Sequence, residues 1–174
     1  ALKKAANHAL SHFSLTGQKG KMPDLGTINK KAKEIVSDID LKVQDLLIAS
    51  IGKHCKTENI FSEELNNFSE LQGNKSSYKI IMDPLDGTHN FLYGLPNWGL
   101  SLALLDIEND PQYSFIYLPV YDLMIFSGEE KKTFVVEGDE KKECTPSELT
   151  ELKRAMVAFD NQFYKIPEEA FNTF

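Results

Sequence analysis

At the start of the chain Leu2, Ala5, Ala6, Ala9, Leu10 and Phe13 recur at spacings of three and four, laying one apolar stripe along a helix of about four turns. A helix with a single apolar face needs something to pack on, and a sheet is the expected partner. Gly20, Pro23 and Gly26 break any regular period between Gln18 and Asn29 and mark a loop. A second stripe of Val36, Ile39, Val43, Leu46, Leu47 and Ile51 predicts a second helix. Ser37 and Asp40, three residues apart, have the form of a capping box at its start.

After Cys55 the period changes. Asn59-Ile60-Phe61 reads as a short strand, and Tyr78 to Met82 as a stronger one that Pro84 is expected to end. Trp98, Leu100, Leu102 and Leu104 alternate with Gly99, Ser101 and Ala103, the period of two that belongs to a strand. Tyr113 to Val120 and Leu123 to Phe126 continue it around a turn at Tyr121-Asp122, and Thr133 to Val136 adds one more. Ser147 to Leu152 reads as a short helix and Ala155 to Phe159 as a further strand. Two helices followed by a run of short strands predict an α+β fold, with both helices packed on a largely antiparallel sheet and no internal repeat.

Composition narrows the classes without choosing among them. The 174 residues are 41% apolar and 10% aromatic, the mixture of a foldable globular domain. Nineteen Lys and Arg against 26 Asp and Glu leave a net charge of −7. The densest basic clusters, Lys30-Lys31-Ala32-Lys33 and Lys131-Lys132, are short and lie among acids, so no direct nucleic-acid binding is expected. The longest apolar run, Leu100 to Leu105, is interrupted by Ser101 and falls far short of the ~20 residues of a membrane span, so no membrane partner is expected and a cytoplasmic location is. Cys55 and Cys144 fit no zinc or disulfide pattern and read as reduced structural residues.

The chemistry concentrates in Asp83-Pro84-Leu85-Asp86-Gly87-Thr88-His89-Asn90-Phe91, where a strand ends and a new element begins. Upstream, Glu63 and Glu64 follow the short strand, so four acids stand at the ends of two strands that can be neighbours in one sheet. Carboxylates that converge without a counter-charge repel one another and take up protons, unless a cation sits between them. A hard divalent ion suits such an all-oxygen set, and magnesium, manganese and calcium all qualify. An EF-hand is excluded, because with Gly87 as its fixed glycine Pro84 and Met82 stand where oxygen ligands are required. Gly87 to Asn90 can open a helix whose free N–H groups would face an anion, so metal plus phosphate is the combination implied.

These residues also carry a family resemblance. Ile80-Ile81-Met82-Asp83-Pro84-Leu85-Asp86-Gly87-Thr88-His89-Asn90-Phe91 resembles the metal-binding signature of the inositol monophosphatase family, within the lithium-sensitive, magnesium-dependent phosphatases. Phe61-Ser62-Glu63-Glu64, Ile35-Val36-Ser37-Asp38-Ile39-Asp40 and Gly94-Leu95-Pro96-Asn97-Trp98 are similar to further steps of the family in the same order. The resemblance implies a magnesium-dependent phosphomonoesterase acting on inositol monophosphate or a related small sugar phosphate. It implies that Glu63, Asp83 and the Leu85 carbonyl hold one ion and that Asp83 and Asp86 share a second, with two or three Mg2+ in all and Mn2+ or Ca2+ able to substitute. The resemblance further implies that Thr88, hydrogen-bonded to Asp40, would position the attacking water, that the Gly87 and Thr88 amides would hold the phosphate, and that Glu64 would support the site from the side or through a water. Glu63, Asp40 and Thr88 form the implied catalytic set, and a homodimer is the family's usual assembly.

Plainer roles stand beside these. Asp40 also reads as a capping carboxylate, Asp86 and Thr88 as turn residues, Glu64 as surface, and His89 as an exposed residue at a helix start. The family's glycine-rich hairpin would fall at Gly128 to Gly138, where Glu130-Lys131-Lys132-Thr133 departs from it. A later Trp-Asp-x-Ala-Ala-Gly-like step does not occur before Phe174. Residues 1–174 are therefore expected to form the N-terminal metal-binding domain, the first half of a layered αβαβα sandwich whose C-terminal half is absent from this chain. Family members resembling the extragenic suppressor protein supply the alternative, a non-catalytic regulatory protein acting on RNA polymerase or ribosomal RNA processes.

Overall fold

Helix α1 (Leu2–His12) buries Leu2, Ala5, Ala6 and Ala9, the three-and-four spacing seen in the sequence, and ends where Phe13 turns extended and donates its N–H to the carbonyls of Ala9 and Leu10. The computed structural model describes residues 1–14, 30–65, 67–128 and 132–156, with the side chains of the second helix described from Val36 onward. The expected loop between Gln18 and Asn29 lies outside the described residues. Helix α2 runs from Lys30 to Ile51 and buries Val36, Ile39, Val43 and Leu47 against the same core. It begins seven residues before Ser37, so the expected capping box is not a cap: Ser37 and Asp40 lie in the helix interior. A polar residue mid-helix has the same local spacing as a cap, and only the helix start tells them apart.

Seven strands form one sheet in sequence order: β1 (Ile60–Ser62), β2 (Tyr78–Asp86), β3 (Gly99–Asp106), β4 (Pro111–Leu118), β5 (Leu123–Ser127), β6 (Thr133–Glu137) and β7 (Glu140–Cys144). The β1–β2 pair is parallel and every other pair antiparallel, so the fold is α+β with a largely antiparallel sheet. Asn59 belongs to a 3₁₀ turn rather than to β1. Pro119–Tyr121 forms the turn between β4 and β5, with Asp122 left-handed at φ 46° where the sequence placed it. Pairing registers put Met82, Leu102, Phe115 and Phe126 in one row, and Met82 faces the helices. Ile81, Asp83, Ser101, Ala103 and Ile116 line a cleft of about 590 Å³, to which Glu63 also contributes.

Pro84 does not end β2. The strand continues to Asp86 across a bulge, in which Asp83 pairs with Ser101 and Asp86 with Gly99, so β2 carries one more residue than its partner. A proline, which has no N–H to give a ladder, is accommodated at such a break. The Leu85 amide instead donates to Asp83 Oδ1 at 3.1 Å, locking the bulge from within. Gly87 follows with φ 84° and caps helix α3 (Thr88–Tyr93). A Cβ at Gly87 would stand 2.8 Å from the Asn97 carbonyl, so both backbone angle and space demand glycine there.

Trp98, 1% exposed, joins the layers. Its ring packs on Phe13 at the end of α1, at 5.2 Å between centroids, and edge-on against Phe91 of α3 at 4.9 Å. No helix among the described residues is long and apolar enough to cross a membrane.

A first compact unit spans Ala1 to Cys144, and a second begins at Thr145. In this second unit the expected helix from Ser147 to Leu152 does not form; a 3₁₀ turn at Leu152–Arg154 is the regular element among its described residues. Of the strand expected from Ala155 to Phe159, Ala155 and Met156 are not extended into a sheet and the rest lies outside the described residues.

Candidate active site

Because β1 and β2 run parallel, with Ser62 opposite Met82, the chain that leaves β1 starts beside Asp83 and the bulge of β2. After β1 the chain turns into a 3₁₀ element at Glu63–Leu65, and after Met82 it reaches Asp83 and the bulge. Helix α2 supplies Asp40, 5% exposed, one turn after buried Val36 and one turn before buried Gln44. Acids separated by twenty and more residues in sequence are thus brought to one point by strand pairing and helix packing.

The electrostatics show how close they are. Burial pushes the Asp40 carboxyl up to about 8, and the charges of Glu64, Asp83 and Glu63 push in the same direction. Asp83 is pushed up to about 7, first by burial and then by the charge of Glu63. The Leu85 amide opposes that shift, while Asp86 and a hydrogen bond with Glu63 add to it. Every acid singled out in the sequence, Asp40, Glu63, Glu64, Asp83 and Asp86, takes part in this one field.

Asp40 Oδ1 is buried and has no hydrogen-bond partner among the described residues. Thr88 Oγ1 donates to the Leu85 carbonyl at 3.1 Å, so the single hydroxyl proton is spent there and the expected Thr88–Asp40 bond is not formed. His89, at the start of α3, is exposed. Two buried side chains not assigned a role from the sequence have no hydrogen-bond partner among the described residues: Gln44 at its Oε1, and Ser62 at its Oγ, at the end of β1. Gln44 was findable, since it stands four residues after Asp40 and shares its helix face.

Among the described residues no group of three or more His, Cys, Asp or Glu side chains is arranged so that it could hold a metal ion. The donor chemistry nonetheless fits a hard divalent cation. Glu63, Asp83, Asp86 and the Leu85 carbonyl, which keeps a lone pair after accepting from Thr88, offer oxygen alone. Burial first and carboxylate repulsion second raise Asp40 and Asp83, and a cation would relieve the repulsion.

A stability consequence follows with a definite sign. An aspartate whose folded pKa lies above 3.8 keeps its proton in the folded state after the unfolded chain has lost it, so metal-free stability falls as pH rises from about 4 to about 8. Asp40→Asn removes the larger of the two penalties. It is expected to raise metal-free stability by about 1–2 kcal/mol at pH 7.5 and to flatten its pH dependence, as read by urea unfolding in chelator across pH 5 to 8. An unchanged profile would mean that Asp40 is solvated in the folded chain.

A profile of the inositol monophosphatase family matches residues 1–162. The chain belongs to the inositol monophosphatase family. It is 36% identical over 81 residues to the Nus factor SuhB of Pseudomonas aeruginosa, a match covering 46% of this chain and 30% of that one. Over 102 residues it is 32% identical to a fructose-1,6-bisphosphatase/inositol-1-monophosphatase of Thermotoga maritima, covering 59% of this chain and 37% of the relative. Among solved structures, inositol monophosphatase II of Staphylococcus aureus superposes with a TM-score of 0.72 at 16% identity, covering 99% of this chain and 58% of that one. That likeness shows the inositol monophosphatase fold. The chain thus spans only about half the length of the relatives it matches.

Proposed function

We propose that this chain carries the metal-binding half of a magnesium-dependent phosphomonoesterase that hydrolyses inositol monophosphate or a related small sugar phosphate. The observation behind this is the convergence of Asp40, Glu63, Glu64 and Asp83 beside β1 and β2, where burial first and the neighbouring carboxylates second raise Asp40 and Asp83 to about 8 and about 7. Glu63, Asp83 and the Leu85 carbonyl would hold one magnesium ion and Asp83 with Asp86 a second, which when bound supply Lewis acidity toward the attacking and leaving oxygens of phosphate.

The remaining roles belong to the chain itself. The Gly87 and Thr88 amides orient the phosphate, and Glu64 braces the site. Turning the Thr88 hydroxyl from Leu85 O to the unpartnered Asp40 Oδ1 creates a pair that can orient the attacking water. Asp40, buried beside the other carboxylates with its Oδ1 unpartnered among the described residues, would accept a proton from that pair once a cation holds it ionised. The relatives named SuhB support a second reading, in which the family fold serves as a Nus-type factor and catalysis is incidental.

Phosphate release from inositol 1-phosphate, titrated with magnesium and set beside a sugar bisphosphate and an adenosine bisphosphate, tests the first reading. Magnesium-dependent turnover supports it; no turnover with any of the three, together with salt-sensitive binding to RNA polymerase, favours the second. In that assay His89→Ala is expected to keep at least about half of the activity, because the residue is exposed. A loss as large as that of a metal ligand would place His89 in the reaction.

A further inference from the structure

The chain has four histidines, His8, His12, His54 and His89, and two of them stand one turn apart on α1. The rings of His8 and His12 lie 4.8 Å apart between centroids, with their planes inclined by 55°. Residues four apart share one helix face, the spacing at which two imidazoles close on a single ion.

The hydrogen bonds determine which nitrogen of His12 is free. Its Nδ1 lies 2.9 Å from the His8 carbonyl, which can only accept, so Nδ1 carries a proton. Ser11 Oγ, which gives its own proton to the same carbonyl at 2.7 Å, lies 3.1 Å from His12 Nδ1 and can only share that one N–H. With Nδ1 protonated, the lone pair of neutral His12 is on Nε2, and the residue is exposed. A ring N–H anchored on a backbone carbonyl is the arrangement that fixes the tautomer of metal-binding histidines. His8 is half-buried, and burial, then the charges of His12 and Lys42, hold it below the usual histidine pKa, so protons compete less for its lone pair.

We propose that His8 and His12 form a two-imidazole chelate on α1 for one borderline transition-metal cation of the zinc, nickel or cupric type. Lys42 opposes any cation there, so the affinity has to come from nitrogen coordination rather than charge, which selects against magnesium and calcium. No third His, Cys, Asp or Glu completes a cage among the described residues, so water fills the remaining positions. This site is chemically unlike the oxygen donors at the ends of β1 and β2, and the two are expected to load independently.

Titrating the full chain with cupric ion in excess magnesium, followed by electron paramagnetic resonance, tests the proposal. One equivalent with nitrogen hyperfine structure is expected. His8→Ala and His12→Ala should each weaken that binding by about tenfold or more and remove the two-nitrogen signature, while His54→Ala, His89→Ala and Asp83→Asn leave it intact. Alanine is the best helix former, and far-UV circular dichroism confirms that α1 persists. Absence of cupric binding, unchanged binding in both histidine variants, or its loss in Asp83→Asn would each overturn the proposal.

Discussion

Asp83→Asn is expected, under the proposed function, to lower kcat/KM for a phosphate ester by on the order of 10³-fold, the largest functional effect predicted for this chain. Asp83 is the carboxylate that touches the most of the site: it shares a hydrogen bond with Glu63, feels Asp86, and takes the Leu85 amide at 3.1 Å. Under the proposed assignment it is also the side chain common to both ions, so one neutralised oxygen weakens two sites. The substitution separates function from folding. Asparagine keeps the shape and an oxygen for the Leu85 N–H, and Asp83, pushed up to about 7, already tends toward its neutral form in the metal-free protein. Unfolding in chelator is therefore expected to show equal or greater stability than the parent chain. Activity within about tenfold of the parent would remove Asp83 from the reaction.

The largest effect on stability is expected at Trp98. Truncation to alanine deletes a ring that is 1% exposed and packed between Phe13 and Phe91, and the expected loss is about 3–5 kcal/mol. Collapse cannot easily fill the gap, because its walls come from α1, α3 and β3, each anchored elsewhere. Trp98→Phe is expected to cost clearly less. It leaves an aromatic ring between Phe13 and Phe91 and removes an indole N–H that is buried without a partner among the described residues. Urea midpoints at unchanged m values give both numbers. Losses below about 1 kcal/mol in both variants would mean that the three rings do not hold α1 and α3 to the sheet.

The two helices and most strands are legible in the sequence because each has one face to bury, and burial imposes a period. Strand β7, Glu140-Lys141-Lys142-Glu143-Cys144, is not, since all five residues are exposed and the strand exists through backbone pairing with β6. Lys79 misleads in the opposite direction. It looks like a surface position of β2, yet it is fully buried, with Nζ donating to the Ile107 carbonyl at 3.0 Å and to Asn109 Oδ1 at 2.6 Å. A turn that folds back over a strand cannot be foreseen from that strand's alternation.

The candidate site was legible as chemistry rather than as geometry. The acids flanking Leu85 and following Phe61 announce oxygen ligands, but their meeting depends on β1 and β2 being parallel, which periodicity does not specify. Asp40 shows the same limit. Its spacing from Ser37 suits a cap, and the start of α2 at Lys30 turns it into a buried carboxylate facing the strand ends.

The most direct test of the carboxylate site is calorimetric titration of the metal-free chain with magnesium at pH 6.5, repeated in buffers of different ionisation enthalpy to count protons. Binding with net proton release is expected, because Asp40 and Asp83 sit at about 8 and about 7 without a cation and must give up protons to accept one. Asp83→Asn should weaken the binding and reduce the proton count. Binding that releases no protons and is unchanged in Asp83→Asn, or no magnesium binding at all, would contradict a metal site at the ends of β1 and β2.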